Sequence, residues 1–216
     1  MNNEKIKVNQ KFNYKAILDE NNPLIKYPAL YEASINEFSQ KVYEDASLND
    51  ILKSADMSKS SLYHHFGDKF GLYLATLDII VKKKIEFLTP LLKNRMPSGD
   101  FFKTMRELSR DTVEFMFKDK RLYSFTNMIL ASGESLTELI HEYFPYDFQS
   151  NFGGLIAASI RSGQIDSKYP PEFVTKLLSL LFTNMDKLLS SSKPEDAFES
   201  LTMVFDVLEN GIRNKN

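Results

Sequence analysis

The sequence predicts an all-α protein, on three observations. Apolar residues recur at helical spacing, as in Leu48, Ile51, Leu52 and Ala55, which fall at i, i+3, i+4 and i+7. No alternating Val- or Thr-rich strand flanks an Asn-Gly or Asp-Gly turn, so hairpins are not expected. Helix breakers punctuate the chain at helix-length intervals: Pro97-Ser98-Gly99, Pro145, Gly163, Pro170-Pro171 and Lys193-Pro194.

The first helix is expected from Pro28 to Gln40, because proline suits a first helical turn and Tyr31, Ile35 and Phe38 share a face beside Leu30 and Ala33. Ser47 caps the second, with Asp50 three residues on to complete the cap. That helix ends near Asp56. Ser58 then caps a third helix, from Lys59 to Phe66, so the turn between them is only about three residues and the two must cross steeply. Leu62 and Phe66 face inward, leaving Ser60, Ser61, Tyr63 and His64 outward or flanking. Gly67-Asp68 stops this helix and starts a long fourth, striped with Leu72, Leu77, Ile80, Val81, Ile85 and Leu88 before Pro90. Further helices are expected near 100–117, 121–131, 134–144, 146–162, 171–189 and 194–213.

With 216 residues and 24.9 kDa, the chain exceeds the common size of one domain. We divide it into an N-terminal extension (1–27), a three-helix unit (28–72) and a larger helical domain (73–216). Apolar residues form 43% of it, but no run approaches the roughly 18 needed to cross a membrane. Polar residues at 1–5 with no apolar stretch after them predict no secretory leader and hence a cytoplasmic location. Without cysteine there is no disulfide, thiolate metal site or cysteine nucleophile, and three histidines are few for a metal centre. No metal, cofactor or catalytic residue is expected. The net charge of −2 argues against coating nucleic acid non-specifically; residues 28–72 carry four lysines against seven acids, so any DNA binding must rest on the placement of charge.

The informative stretch is Ala55-Asp56-Met57-Ser58-Lys59-Ser60-Ser61-Leu62-Tyr63-His64-His65-Phe66-Gly67-Asp68-Lys69. With Ala33 to Phe38 upstream and Ser47 to Ile51 between, it resembles the DNA-binding domain of the tetracycline-repressor (TetR/AcrR) family over residues 28–72. Three usual glycines differ: Asp56 stands in the turn, Ser60 early in the third helix, and none lies in 41–45. Asp enters the left-handed region more readily than most residues, so the turn survives, while Ser60 adds a hydroxyl donor and acceptor.

A recognition helix must expose polar side chains at its N-terminal end for base edges and have hydroxyls or cations near its start for phosphates. Lys59 can donate to guanine O6 and N7, Ser60 can pair in either sense, and Tyr63 can lie against a thymine methyl or reach a phosphate. The resemblance implies that Lys59, Ser60, Tyr63 and His64 read bases and that Ser47, Ser61, His65 and Lys69 hold phosphates. Asn49, near the start of the second helix, is a further phosphate candidate. Residues 1–27 are expected to be a solvated tail, with a DNA-contacting arm as the alternative because Lys5, Lys7, Lys11 and Lys15 face only Glu4 in the first 15 residues.

Phe101, Met105, Phe115, Phe125, Met128, Phe144, Phe148 and Phe152 form an aromatic and methionine-rich set that either packs a core or lines a pocket for a small apolar or amphipathic effector. The last two helices carry doubled apolar stripes, including Phe173, Leu177, Leu181 and Leu188 on one and Ala197, Leu201, Phe205 and Leu208 on the other. The resemblance implies that they pair with their symmetry mates in a homodimer. The function implied is repression at a near-palindromic DNA operator, relieved by effector. A helical carboxylate enzyme built on Glu134, Glu138 and Glu142 is the rival from another class, although no Glu-x-x-His motif accompanies them. An architectural or cell-cycle DNA-binding factor is the other rival.

Overall fold

A computed structural model describes residues 6–95, 100–144, 148–183 and 194–214. These described residues form ten α-helices: α1 (Pro28–Phe38), α2 (Leu48–Ser54), α3 (Lys59–Phe66), α4 (Lys69–Arg95), α5 (Phe101–Lys118), α6 (Lys120–Ala131), α7 (Glu134–Tyr143), α8 (Phe148–Arg161), α9 (Pro171–Thr183) and α10 (Pro194–Ile212). Three short 3-10 turns precede them at Tyr14–Ile17, Asp19–Asn21 and Pro23–Ile25. Among the described residues the extended pairing is limited to an isolated bridge between Ile165 and Arg213. The breaks at 97–99, Pro145 and Lys193, and Leu188 with the side chains of Phe148 and Ala197, lie outside the described residues.

One element is longer than its sequence suggests. Helix α4 runs through Pro90 to Arg95. Proline deletes one helical hydrogen bond, but Pro90 and Glu86 are both exposed, so water can take up the freed carbonyl.

The chain forms two compact units, one of residues 1–86 and 116–145, the other of 87–115 and 146–216. The first therefore takes in more than 28–72. Its core is aromatic: Tyr73 of α4 meets Phe38 of α1 edge-on at 4.7 Å and stacks on Phe125 of α6 at 5.0 Å, which places α6 beside α1.

The N-terminal segment is part of this unit, against the expectation of a solvated tail. Tyr14, Ile17, Leu18 and Leu24 are buried, and Tyr14 sits edge-on to Phe70 and Tyr143. Buried Asn22 donates to the Ala75 carbonyl and to Asp78, each at 2.8 Å. Apolar residues at this spacing, tied by buried hydrogen bonds, give the segment enough burial to offset its ordering.

In the second unit α8 packs on α9, and Phe102, Met105, Ile156, Val174, Leu178, Leu201 and Phe205 are buried. Arg106 of α5 pairs with Asp206 and Glu209 of α10, and Arg213 pairs with Asp100 while lying 4.9 Å from the centre of the Phe102 ring.

Candidate DNA interface

The site is built on the turn between α2 and α3. Ser47 caps α2, its hydroxyl accepting from the Asp50 N–H at 3.2 Å; the Ser47 N–H is held by Glu37 of α1 at 2.7 Å, so Glu37 and not Asp50 completes that cap. Ser58 caps α3 by accepting from the Ser61 N–H at 3.1 Å. Between them Asp56 has φ +49°, the left-handed conformation its side chain tolerates. Gly67 ends α3 at φ +75°, and Asp68 starts α4 by accepting the Gly71 N–H at 2.9 Å. A Cβ on Gly71 would lie 1.8 Å from the Phe66 carbonyl oxygen, so glycine is what lets α3 and α4 approach.

With Leu62 and Phe66 fully buried, α3 turns its other face outward. Lys59, Ser60, Tyr63 and His64 are all exposed, Tyr63 by 53%, and they share one face of the helix. Asn49 is exposed, and Ser47 and Ser61 are half-buried with their hydroxyl protons available to an acceptor. His65 is half-buried, and its Nε2 meets the Tyr27 hydroxyl at 3.1 Å. Burial, then the neighbouring His64 and Lys26, hold its pKa below the ordinary histidine value, so it is neutral near pH 7.

Lys69 departs from its expected role as a phosphate ligand. Its ammonium donates to the carbonyls of Tyr43 (2.6 Å), Glu44 (3.1 Å) and Ala46 (3.1 Å), which uses all three protons to hold the α1–α2 loop. Burial lowers its pKa.

The aromatic set expected to line a pocket is divided between the units. Phe125, Met128 and Phe144 belong to the first; Phe101, Met105, Phe115, Phe148 and Phe152 belong to the second. Phe101, Met105, Phe115 and Phe125 are buried core residues, Phe125 stacked on Tyr73. The stripe on α10 is also corrected. Leu201, Phe205 and Leu208 are buried within their own unit because they face α5 and α9, while Met203 and Val207 are exposed. On α9, Phe173 and Leu180 are exposed and Leu177 and Leu181 half-buried; Leu177 and Leu181 line an apolar groove with Met203, Val204 and Val207. Glu134, Glu138 and Glu142 are exposed on α7, and among the described residues no cluster of His, Asp or Glu is arranged to hold a metal.

Sequence reasoning missed Tyr27 and Glu37 and had Asp68 only as a cap; its second oxygen accepts from Tyr14 and Asn9, more than fifty residues away, and nothing local signals that.

Two short helices joined by a tight turn, the second offering a polar face at its N-terminal end, define a helix-turn-helix module of the type that enters the major groove. Residues 30–76 match the bacterial regulatory proteins of the tetR family, so this helix-turn-helix segment is of that family's type. It is 41% identical over 94 residues to the biofilm operon icaADBC HTH-type negative transcriptional regulator IcaR of Staphylococcus aureus (strain Newman), covering 44% of this chain and 47% of that protein. The counterpart from Staphylococcus epidermidis is 34% identical over 59 residues, covering 27% and 32%. The chain thus spans about a third to a half of the length of the curated relatives it matches.

Among solved structures, Salmonella enterica GusR superposes with a TM-score of 0.66 at 20% identity, covering 90% of this chain and 97% of that one. A TetR family transcriptional regulator from Chloroflexus aurantiacus gives 0.59 at 24% identity, with coverages of 90% and 96%. These likenesses establish the shared all-helical fold. The matched family and the relatives are named as transcriptional regulators, not enzymes.

Proposed function

We propose that this protein is a transcriptional repressor that binds a near-palindromic DNA operator as a homodimer, in the cytoplasm, and is released by a small-molecule effector. The observation that carries the reading is the exposed face of α3, where Lys59, Ser60, Tyr63 and His64 present donors, acceptors and an aromatic edge from one helix end. Asn49, Ser47 and Ser61 are suited to phosphates, and His65 can donate one hydrogen bond from its neutral ring. Repression is favoured because the similar IcaR proteins are named negative regulators.

Dimerisation through α9 and α10 is supported by Phe173, Leu180, Met203 and Val207, an exposed apolar surface that a soluble monomer would rarely keep. Two recognition helices would then sit about 34–36 Å apart, on successive major-groove faces. An effector would act by preferring the conformer that cannot span two half-sites. Among the described residues no helix is long and apolar enough to cross a membrane.

The test is a gel shift with inverted repeats from the promoter region of the protein's own gene. Retarded DNA that competes with itself but not with scrambled sequence is expected; equal competition by both would overturn sequence-specific binding.

A further inference from the structure

The folded N-terminal segment is fastened to the end of α3 and the two residues that follow it. Asn9 donates its N–H to Asp68 Oδ2 at 2.7 Å, and the Tyr14 hydroxyl donates to the same oxygen at 2.5 Å. The Phe12 ring covers Gly67 so closely that a Cβ there would lie 2.4 Å from it, and it meets Tyr14 edge-on at 5.2 Å. Further along, the Tyr27 hydroxyl meets His65.

Three of these anchors, Asn9, Phe12 and Tyr27, have a lysine within two residues along the chain. Lys7 lies two residues from Asn9, Lys11 adjoins Phe12, and Lys26 adjoins Tyr27 and acts electrostatically on His65. All three are exposed, and among the described residues none is ion-paired.

We propose that Lys7, Lys11 and Lys26 form a second phosphate-binding edge for duplex DNA, at the C-terminal end of the recognition helix. The proposal rests on the DNA-binding reading. An eight-residue helix is roughly 12 Å long, and the major groove is about 12 Å wide. With its N-terminal end among the bases, its last turn lies level with the flanking sugar-phosphate backbone. Cations fixed there by folded anchors meet phosphates with less loss of chain entropy than a free arm would suffer. They also supply positive charge to a module whose residues 28–72 carry an excess of acids.

The experiment measures operator affinity of the whole chain against salt for the unaltered protein, K7A/K11A, K7R/K11R and K59A. These lysines are solvent-exposed, so K7A/K11A should keep the melting temperature. Removing one lysine from a phosphate makes the slope of log K on log salt shallower by about 0.9, so K7A/K11A, which takes four lysines from a homodimer, should flatten it by roughly 3–4 and weaken all sequences alike. Arginine at both positions should restore the slope, and K59A should change base preference. Unaltered protein that binds its operator while K7A/K11A shows the same slope and affinity would overturn this proposal alone. No sequence preference in the unaltered protein would overturn the parent reading and this one with it.

Discussion

The Lys69 ammonium lies 2.6 Å from the carbonyl oxygen of Tyr43 and 4.6 Å from the centre of the Tyr43 ring. A cation that the sequence offers to DNA is spent inside the protein, tying the start of α4 to the loop between α1 and α2. Lys69→Met should leave three carbonyls short of a donor and lower stability by about 2–3 kcal/mol. Thermal unfolding measures that loss, and the salt slope of DNA binding, measured on folded protein, should stay unchanged. A flattened slope with intact stability would return Lys69 to the phosphates.

Gly67 and Phe12 should be coupled. A side chain at Gly67 is strained by φ +75° and meets the Phe12 ring, whereas Phe12→Ala leaves only the strain. Gly67→Ala should cost about 2–3 kcal/mol in the unaltered chain and roughly 1 kcal/mol beside Phe12→Ala. A double-mutant cycle by urea unfolding gives the coupling; additive costs would mean that the ring yields freely.

His65 makes stability depend on pH. Its folded pKa is depressed, so the unfolded chain binds the proton more readily; the penalty is absent above the unfolded value of about 6.5, grows as pH falls from there to the folded value, and is complete below it. The melting temperature of the unaltered protein should therefore fall more between pH 7.5 and 5 than that of His65→Gln. Equal falls would show that the ring titrates freely.

The two faces of α10 should respond differently to charge. Val207→Asp places a carboxylate on an exposed surface and should yield a folded monomer, seen by sedimentation with unchanged circular dichroism. Phe205→Asp buries that charge in its own unit and should unfold it. A stable Val207→Asp dimer would place the interface elsewhere.

Phe125 tests core against pocket. It is 1% exposed and stacked on Tyr73, so Phe125→Ala should cost about 3–5 kcal/mol by removing a buried ring, without altering which compounds release DNA. A small stability cost with changed effector choice would restore the pocket reading.

What could be read in the sequence was local. Ser47 and Ser58 as caps, Asp56 in the turn and Leu62 with Phe66 facing inward follow from spacing and side-chain chemistry, and the structure has each of them. Lys69, Tyr27 and Glu37 were opaque because their partners lie elsewhere in the chain, so a surface lysine and an internal clamp look alike in one dimension. On α10 the helical period showed two apolar stripes but carried no sign of which one meets α5 and which meets solvent.

The two oxygens of Asp68 set an order of events during synthesis. Oδ1 captures an N–H three residues ahead, a local bond that can form as soon as α4 starts. Oδ2 bonds Asn9 and Tyr14, made 59 and 54 residues earlier, which until then can pair only locally, the Asn9 N–H donating to the Tyr14 hydroxyl at 2.9 Å. At about 5–20 residues per second that interval is roughly 3–12 seconds. Throughout it Tyr14 lacks Asp68 and Phe70, so the N-terminal segment completes its packing only once α4 has begun.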